Sequence, residues 1–395
     1  MNVKRELRVL LLSVDPPQND MGVRVVLYRH LYDRKPFDVL IATHADFYHG
    51  SPPGIKLKLP WLPQKVKKSR FGPALIKWIL DYQNLIWVWK NPLKFERAIF
   101  EFKPQVILAV ADTSLCCFAA KAARKYGVPL AGLFLDWFPV MKGHYGHLWT
   151  QSILNKRFRQ FYRKCDLAFC TSDGMQEVLG PHSNSHVIYP MPGSHKPPSG
   201  IFPEKNGKFR LVYVGSVEQF YGRALCSLIN EIISCSDLEL IVVGPNADWP
   251  EALLKCARER GIYIGFKPPH EAASVLAGAD ALLVIMSFEP EHKLFMQTSF
   301  TTKFLDYTAF AKPIVFWGPD YCTPVRVVQR EGGAVVVNTP DARKIVAVCR
   351  EIANDSELQG RLSAEARKLN ETLFNPERIQ NIFVTQIEKV ANSKS

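Results

Sequence analysis

The stretch SFTTKFLDYTAFAKPIV, residues 299–315, contains a helix start, a helix and the beginning of a buried strand. Thr301 and Thr302 are typical of a helix N-terminus, and Pro313 opens the apolar run that follows the helix. The pattern predicts a helix over residues 301–310 that leads directly into a strand. This is one step of an α/β domain, and similar steps extend in both directions along the chain.

Short apolar runs rich in β-branched residues alternate with amphipathic helical patterns over nearly the whole sequence. Continuous apolar strands separated by helices indicate parallel sheets that are covered on both faces. In the N-terminal half the predicted strands are 8–13, 38–43, 105–110, 130–135, 167–171 and 186–189. In the C-terminal half they are 210–215, 238–244, 261–266, 280–286, 313–317 and 334–337.

The chain of 395 residues exceeds what one hydrophobic core usually holds. Residues 193–206 are rich in Pro, Gly and Ser and poor in apolar residues, which is typical of a linker. We therefore predict a domain over residues 1–192 and a second over 207–374. The fold class is α/β, with two Rossmann-like doubly wound domains facing a central cleft where ligands are expected.

The composition is that of an ordinary globular protein, with 47% hydrophobic and 22% charged residues, and this excludes wholesale disorder. Nine cysteines without a CxxC pair argue against a disulfide framework and against a structural zinc site. No apolar run reaches the roughly 18 residues of a spanning helix. Residues 1–195 carry 27 basic and 14 acidic side chains, so the whole net charge of +13 lies there.

The residues of 299–315 also carry candidate chemistry. The start of the predicted helix can bind a phosphate, and Lys303 adds a full positive charge there. Asp306 lies one turn further on the same face, where its carboxylate can accept hydrogen bonds from sugar hydroxyls. A capped helix with a solvated lysine and aspartate fits the same residues equally well.

The run 299–315 resembles the donor-site signature of family 4 glycosyltransferases of the GT-B fold, in the subgroup Ser-x-Pro-Thr-Lys-x-x-Glu-Tyr-x-Ala-x-Gly-Lys-Pro-Val-Val. It departs from that pattern with Thr301 for Pro, Asp306 for Glu and Ala311 for Gly, and Thr298 stands at the family's second acidic position. The resemblance implies that Asp306 binds the ribose of a nucleotide. The positions that match in register are Thr302, Lys303, Tyr307, Ala309, Lys312 and Pro313.

Other segments resemble the family in the same order and spacing, namely 7–44, 102–139, 163–175, 211–225, 265–286 and 374–390. The first implies that the backbone of Gly22 approaches a diphosphate closely. The last implies a terminal helix over 375–392 that packs back on the first domain. The donor-binding residues implied are Gly22, Gly215, Ser216, Phe266, Thr301, Thr302, Asp306 and Tyr307.

The family's two basic residues that clamp the donor diphosphate are replaced here by Ser216 and Tyr221. Arg223 can reach the same space, although a surface arginine on a helix fits equally well. Asp136 ends a predicted strand and can position or deprotonate an acceptor hydroxyl, or it can simply anchor a loop. We predict Asp136, Lys303 and Arg223 as catalytic residues, and the loop KGHYGH with His144 as an acceptor loop rather than a metal site.

Residues 56–103 contain 11 basic and 3 acidic side chains with interleaved aromatic residues. This pattern favours a face that binds an anionic membrane surface, while single-stranded nucleic acid and a solvated helix are the alternatives. No nucleic-acid partner is expected, because no RNA-binding motif accompanies the segment. The predicted acceptor or membrane face comprises His144, Trp61, Lys65, Lys67, Lys68 and Arg70.

The sequence is thus interpreted as a retaining glycosyltransferase that moves a sugar from a nucleotide-sugar donor to a glycan or lipid-linked acceptor. Cell-surface polysaccharide or lipopolysaccharide synthesis is the expected setting, on the cytoplasmic face of a membrane. No metal and no cofactor are expected. The alternatives are a catalytically degenerate protein that binds a nucleotide sugar or a partner, and a GT-B-fold nucleotide-sugar epimerase.

Overall fold

The computed structural model describes residues 6–19, 22–45, 54–58, 60, 62–87, 93–111, 115–141, 143, 145–193 and 207–393, without the side chains of residues 64 and 93. The chain divides into two compact units. Unit 1 comprises residues 1–189 and 379–395, and unit 2 comprises residues 190–378. Most of the predicted linker 193–206 lies outside the described residues.

Unit 1 is built on a parallel sheet of seven strands in the order β3-β2-β1-β4-β5-β6-β7. Every strand predicted in this half is present, and the central ones are buried along their whole length, as a sheet covered on both faces requires. The sequence analysis missed β3, because three residues flanked by prolines carry too little apolar signal. The strands are β1 (Arg8–Leu12), β2 (Asp38–Thr43), β3 (Gly54–Lys56), β4 (Val106–Val110), β5 (Leu130–Phe134), β6 (Leu167–Cys170) and β7 (Ser185–Val187).

In the described part of unit 1, seven α-helices connect the strands. The first is followed by a π-helical turn, Arg29–Asp33, which contains the buried His30. None of the described helices in the chain is long and apolar enough to cross a membrane. The helices are α1 (Gly22–Tyr28), α2 (Gln64–Lys67), α3 (Gly72–Leu85), α4 (Leu93–Phe102), α5 (Leu115–Tyr126), α6 (Leu148–Lys164) and α7 (Asp173–Leu179).

Unit 2 contains a parallel sheet of five strands in the order β12-β11-β10-β8-β9. The prediction of a strand over 261–266 is wrong, since only Tyr263 forms an isolated bridge with Val242. Gly261 and Gly265 have φ angles of 70° and 73°, which an extended strand does not allow. The strands are β8 (Phe209–Val214), β9 (Leu238–Val243), β10 (Ala281–Ile285), β11 (Ile314–Trp317) and β12 (Val335–Val337).

The helices of unit 2 pack their apolar faces on this sheet. Leu225 and Ile229 from one helix meet Leu211 and Leu283 of the sheet, and Ile345 covers the same side. The described helices of unit 2 are α8 (Gln219–Ile232), α9 (Glu251–Glu259), α10 (Pro269–Ala277), α11 (Lys293–Thr298), α12 (Thr302–Thr308), α13 (Thr323–Glu331), α14 (Ala342–Asn354) and α15 (Ser356–Glu371).

The last helix, α16 (Pro376–Asn392), belongs to unit 1 from Ile379 onward. Gln380 fixes it there, because its amide oxygen accepts from His30 Nδ1 at 2.9 Å and its amide nitrogen donates to the His30 carbonyl at 2.9 Å. Burial lowers the pKa of His30 to about 4, so the ring is neutral at pH 7. Phe383 packs on the His30 ring at 4.5 Å and on Phe169 at 5.2 Å between ring centres.

We expect Phe383→Ala to lower the free energy of unfolding of unit 1 by about 3–5 kcal/mol, because Phe383 is 1% exposed and the cavity left behind adds to the lost burial. Denaturant titration followed by circular dichroism measures the change. Thr385→Ala, at an exposed position of the same helix, is the control and should shift the midpoint little. Equal effects of the two substitutions would show that α16 does not stabilise unit 1.

Candidate functional site

The most constrained point of unit 2 lies where β8 ends and α12 begins. Gly215 follows β8, and its amide donates to the Val243 carbonyl at 2.9 Å. The side chain of Lys303 crosses over this glycine so closely that a β-carbon at residue 215 would lie 1.9 Å from Lys303 Cε. Gly215 also has a φ angle of 150°. Only glycine therefore fits beneath the lysine.

A second glycine completes the close packing of backbone at this edge of the sheet. Gly244 follows β9, and a β-carbon there would lie 2.2 Å from the Gly215 carbonyl oxygen. The Tyr263 hydroxyl donates to the Gly244 carbonyl at 2.8 Å, which holds this backbone in place. The carboxyl ends of β8 and β9 thus form a bare backbone surface, which is where open α/β sheets bind their ligands.

Lys303 brings a positive charge to this surface. Its ammonium lies 4.3 Å from the ring centre of Tyr221 and 5.6 Å from that of Tyr213. Among the residues that the structure describes, Lys303 has no carboxylate as an ion-pair partner. Burial lowers the pKa of Lys303 to about 8, while the negative charge of Asp306 acts in the opposite direction. An anion that binds here would interact with the Lys303 ammonium without competing with an ion-paired carboxylate of the described residues.

The helix that carries Lys303 is shorter than predicted. It spans Thr302–Thr308, and Thr301 occupies the N-cap position without a capping hydrogen bond from its side chain. A helix of seven residues contributes little dipole, so the fixed charge of Lys303 dominates the electrostatics. Thr301 and Thr302 are both half-buried beside it.

Tyr307 anchors α12 to the sheet. It is 2% exposed, and its hydroxyl accepts from the Val214 amide at 2.9 Å and lies 3.2 Å from the Val214 carbonyl. Burial raises the pKa of Tyr307. Because Tyr307 holds α12 against the end of β8, it positions Lys303 over Gly215. Any contribution of Tyr307 to donor binding is therefore indirect, through the position of Lys303.

Asp306, the predicted ribose ligand, is half-buried in the same helix. Its Oδ1 accepts a hydrogen bond from the Gly193 amide at 2.8 Å, at the end of the described part of the 190–193 segment. This contact has no local sequence signal, because 113 positions separate the two residues. A sugar hydroxyl that binds Oδ1 has to share it with the Gly193 amide.

Arg223 lies in the first turns of α8 and is 61% exposed. Its guanidinium donates two hydrogen bonds to one oxygen, Glu289 Oε1, from Nε at 2.8 Å and from Nη2. Glu289 also lies 3.3 Å from His292 Nδ1, which is 2.9 Å from the Ser287 hydroxyl. The charge of Arg223 is therefore shared with the loop that follows β10, and the structure shows no contact between Arg223 and Lys303.

The other predicted donor residues occupy loop positions. Ser216 is exposed, and its carbonyl accepts from the Tyr213 hydroxyl at 2.5 Å. Phe266 is 62% exposed after the positive-φ Gly265, so its ring is open to a planar ligand. In unit 1, Gly22 begins α1 with a φ angle of 60°.

Unit 1 has a cavity of about 210 Å³ at the carboxyl ends of β1, β4 and β5. Asp136, which follows β5, lines this cavity together with Asp15. Ser13, for which no role was predicted, lies on its wall, only 1% exposed, and its hydroxyl has no hydrogen-bond partner among the residues that the structure describes. A buried hydroxyl without a partner is costly, so it is a candidate ligand contact. Its position directly after a buried strand is the signal that could have revealed it.

The predicted membrane face is only partly described. His144 and Trp61 lie outside the described residues. Lys65 and Lys67 belong to α2, and Lys68 and Arg70 lie in the turn before α3, with all but Lys67 exposed. No group of three or more His, Cys, Asp or Glu residues in the described part of the chain is placed to hold a metal ion.

Residues 18–191 match the model of the family described as Glycosyltransferase Family 4. The match covers most of unit 1 and ends before residues 299–315, so the subgroup suggested by the donor-site pattern stays a prediction. No curated protein sequence matches the chain.

Solved structures match almost the whole chain. HepE of Anabaena in complex with UDP-glucose is 13% identical, with a TM-score of 0.64 over 97% of this chain and 100% of that one. Sucrose-phosphate synthase of Thermosynechococcus elongatus is 13% identical, with a TM-score of 0.67 over 98% and 100%. WaaG, a glycosyltransferase involved in lipopolysaccharide biosynthesis, is 14% identical, with a TM-score of 0.57 over 95% and 99%.

The chain has the GT-B fold. This agrees with the two parallel α/β sheets and confirms the predicted fold class. Because all these identities are low, the likeness establishes the fold and not the reaction.

We expect Gly215→Ala to lower the free energy of unfolding by about 1–3 kcal/mol, because the new β-carbon overlaps Lys303 Cε. In a Lys303→Ala background the same substitution should cost less, and the double-mutant cycle measures the difference. Gly261→Ala is the matched control, because Gly261 also has a positive φ angle, 70°, while a β-carbon there meets no atom within 4 Å. Additive effects of Gly215→Ala and Lys303→Ala would contradict the contact.

Proposed function

We propose that the protein is a retaining glycosyltransferase that takes a nucleotide sugar in unit 2 and an acceptor hydroxyl in unit 1. The observation that carries this proposal is the ammonium of Lys303 held over the backbone of Gly215. Such a charge suits a diphosphate, whose oxygens approach bare backbone without hindrance from a side chain. The family match of residues 18–191 and the GT-B fold support the same reaction class.

The transfer breaks the bond between the anomeric carbon and the diphosphate oxygen and forms a bond from that carbon to the acceptor oxygen. The bonding electrons leave with the nucleoside diphosphate, and Lys303 stabilises the charge that grows there. A divalent cation does this work in other transferases, and a fixed ammonium replaces it here. We therefore propose that no metal or cofactor takes part.

The acceptor binds in the unit 1 cavity. The Asp136 carboxylate takes or orients the proton of the acceptor hydroxyl, and the buried Ser13 hydroxyl offers a hydrogen bond to a neighbouring group of the same sugar. Leu135 and Phe138 provide apolar walls for a pyranose face. A glycan or a lipid-linked glycan fits these walls, as expected for cell-surface polysaccharide or lipopolysaccharide synthesis on the cytoplasmic side of a membrane.

A thermal-shift panel of UDP, GDP, ADP and CMP with their common sugars tests the donor assignment, since a ligand that binds only the folded chain raises its melting temperature. UDP-glucose stands first, because HepE was solved with it. Release of the nucleotide that depends on an added glycan acceptor then tests transfer. Failure of every nucleotide to stabilise the chain would refute the proposal.

A degenerate member that binds nucleotide sugar without turnover is the second candidate. Its support is specific, because Ser216 and Tyr221 replace two basic residues and Arg223 is paired with Glu289. Nucleotide binding without transfer or donor hydrolysis would favour it. Conversion of the donor sugar in the absence of any acceptor would instead identify an epimerase.

Nucleotide affinity should depend on the protonation of Lys303. The pKa of about 8 means that the ammonium is charged below pH 8 and is lost as the pH rises above it. If only the charged form binds, the affinity for the nucleoside diphosphate is about tenfold weaker at pH 9 than at pH 7. Isothermal titration calorimetry measures this profile. Lys303→Arg keeps the charge at both pH values and should flatten it, whereas an unchanged slope would assign the titration to another group.

Asp306→Ala should weaken nucleotide-sugar binding by about 1.5–3 kcal/mol, the range for a hydrogen bond to a charged acceptor. Asp306→Asn separates two roles, because its amide oxygen can still accept from the Gly193 amide while the charge is gone. We expect Asp306→Asn to retain the melting temperature of the unliganded chain and to lose most of the affinity. Full affinity in both variants would reject Asp306 as a ribose ligand.

A further inference from the structure

Helix α3 has an inverted distribution of polar and apolar side chains. Asp81, Gln83 and Asn84 are buried, with exposures of 3%, 7% and 7%. Large apolar side chains point to solvent instead: Phe71, Leu75, Trp78 and Ile86 are 69%, 40%, 60% and 55% exposed. Their spacing places them on one face of the helix. A surface helix of a globular protein normally shows the opposite arrangement.

Specific hydrogen bonds hold the polar face inward. Asp81 Oδ1 accepts from the Gly146 amide at 2.9 Å, and Asp81 Oδ2 lies 2.5 Å from His147 Nδ1. Gln83 donates to the Pro60 carbonyl at 2.6 Å. A β-carbon at Gly146 would lie 1.8 Å from the Lys77 carbonyl oxygen, so loop and helix are in tight contact. The orientation of α3 is therefore fixed, and its apolar face stays outward.

The start of α6 continues this apolar surface. His147 lies between two indoles, 4.8 Å from the ring centre of Trp78 and 6.3 Å from that of Trp149. Trp149 is 50% exposed, and the neighbouring Leu148 is 74% exposed. We name the surface formed by Phe71, Leu75, Trp78, Leu148 and Trp149 the aromatic patch. Exposed patches of this kind mark interaction sites.

The two segments that carry the aromatic patch are strongly basic. Residues 62–87 contain five basic side chains, and their single acid is the buried Asp81. Helix α6 carries five basic residues and no acid. A second copy of this chain would bring the same positive charge and be repelled, whereas an anionic lipid surface is attracted and also accepts indole rings at the depth of its headgroups.

We propose that the aromatic patch inserts into the interface of a bilayer that contains anionic phospholipids, with the surrounding basic residues on the headgroups. This goes beyond a purely electrostatic membrane face, because the aromatic patch lies on two helices and buries apolar area. Membrane insertion would bring the proposed transferase to a lipid-linked acceptor. Binding to vesicles is measured without donor, acceptor or turnover, so a negative result in that experiment does not affect the outcome of the transfer assay.

Flotation of the purified full-length chain with vesicles tests this proposal, using phosphatidylcholine alone and phosphatidylcholine with phosphatidylglycerol. We expect binding to the anionic vesicles, of which a substantial part persists at 1 M salt, where charge interactions are screened within about 3 Å. Trp78→Ser with Trp149→Ser should weaken binding by about tenfold or more at both salt concentrations. Brominated lipids should quench tryptophan fluorescence of the parent chain and much less that of the double variant.

Two further variants make the result specific. Phe100→Ser removes a ring that is 75% exposed on α4, outside the aromatic patch, and should leave binding unchanged. Leu148→Ser removes a patch residue with few contacts and tests insertion even if the double tryptophan variant is unstable by thermal melting.

Three outcomes would overturn the proposal. The first is binding that is abolished by salt and indifferent to the patch variants, which would mean a charged surface alone. The second is equal binding to neutral vesicles. The third is self-association in analytical ultracentrifugation that the patch variants abolish, which would make a second copy the occupant.

Discussion

The contact between the Lys303 side chain and the Gly215 backbone is the constraint on which the arrangement of unit 2 depends. An ammonium partly removed from water loses solvation, and this loss is visible in its lowered pKa. The faces of Tyr221 and Tyr213 return part of that energy through cation–π interactions. The glycine makes the approach possible, and the buried hydroxyl of Tyr307 keeps α12 at the height that the approach requires. A bound diphosphate would compensate for the part of the lost solvation energy that the two rings do not return.

The aromatic ring of Tyr221 beside the Lys303 ammonium has a physical consequence. A second cation close to Lys303 would lower its pKa further, whereas an aromatic ring stabilises the ammonium without repelling it. The site thus concentrates its positive charge in one residue. Arg223 does not add to it in this structure, because Glu289 and the loop after β10 hold its guanidinium. Glu289 thus joins the first turns of α8 to the loop after β10, since its carboxylate contacts both Arg223 and His292.

The strands with long apolar runs could be predicted from the sequence, because a strand that is buried on both faces consists of consecutive apolar residues. The prediction failed for β3, which has three residues, and for 261–266, where two glycines with positive φ prevent an extended backbone. Lys303 and Asp306 were predicted because they lie three positions apart in one helix pattern. The Asp306 contact with Gly193 and the pairing of Arg223 with Glu289 join residues that are distant in the chain, and such contacts leave no local pattern.

Helix α3 shows why periodicity alone does not select the buried face of a helix. The sequence contains apolar residues on nearly every side of this helix, and the choice of the inner face is made by Asp81, which needs the Gly146 amide and His147 as partners. Burying that carboxylate without them would cost more than exposing several apolar side chains. The polar contacts therefore prevail, and the aromatic residues stay outside at a cost in hydrophobic stabilisation. Natural proteins tolerate such a local conflict mainly where the exposed surface has a use. This cost in hydrophobic stabilisation is recovered only when an apolar surface covers the aromatic patch. Unit 1 should therefore be more stable when the aromatic patch is inserted into a bilayer than when it is exposed to water.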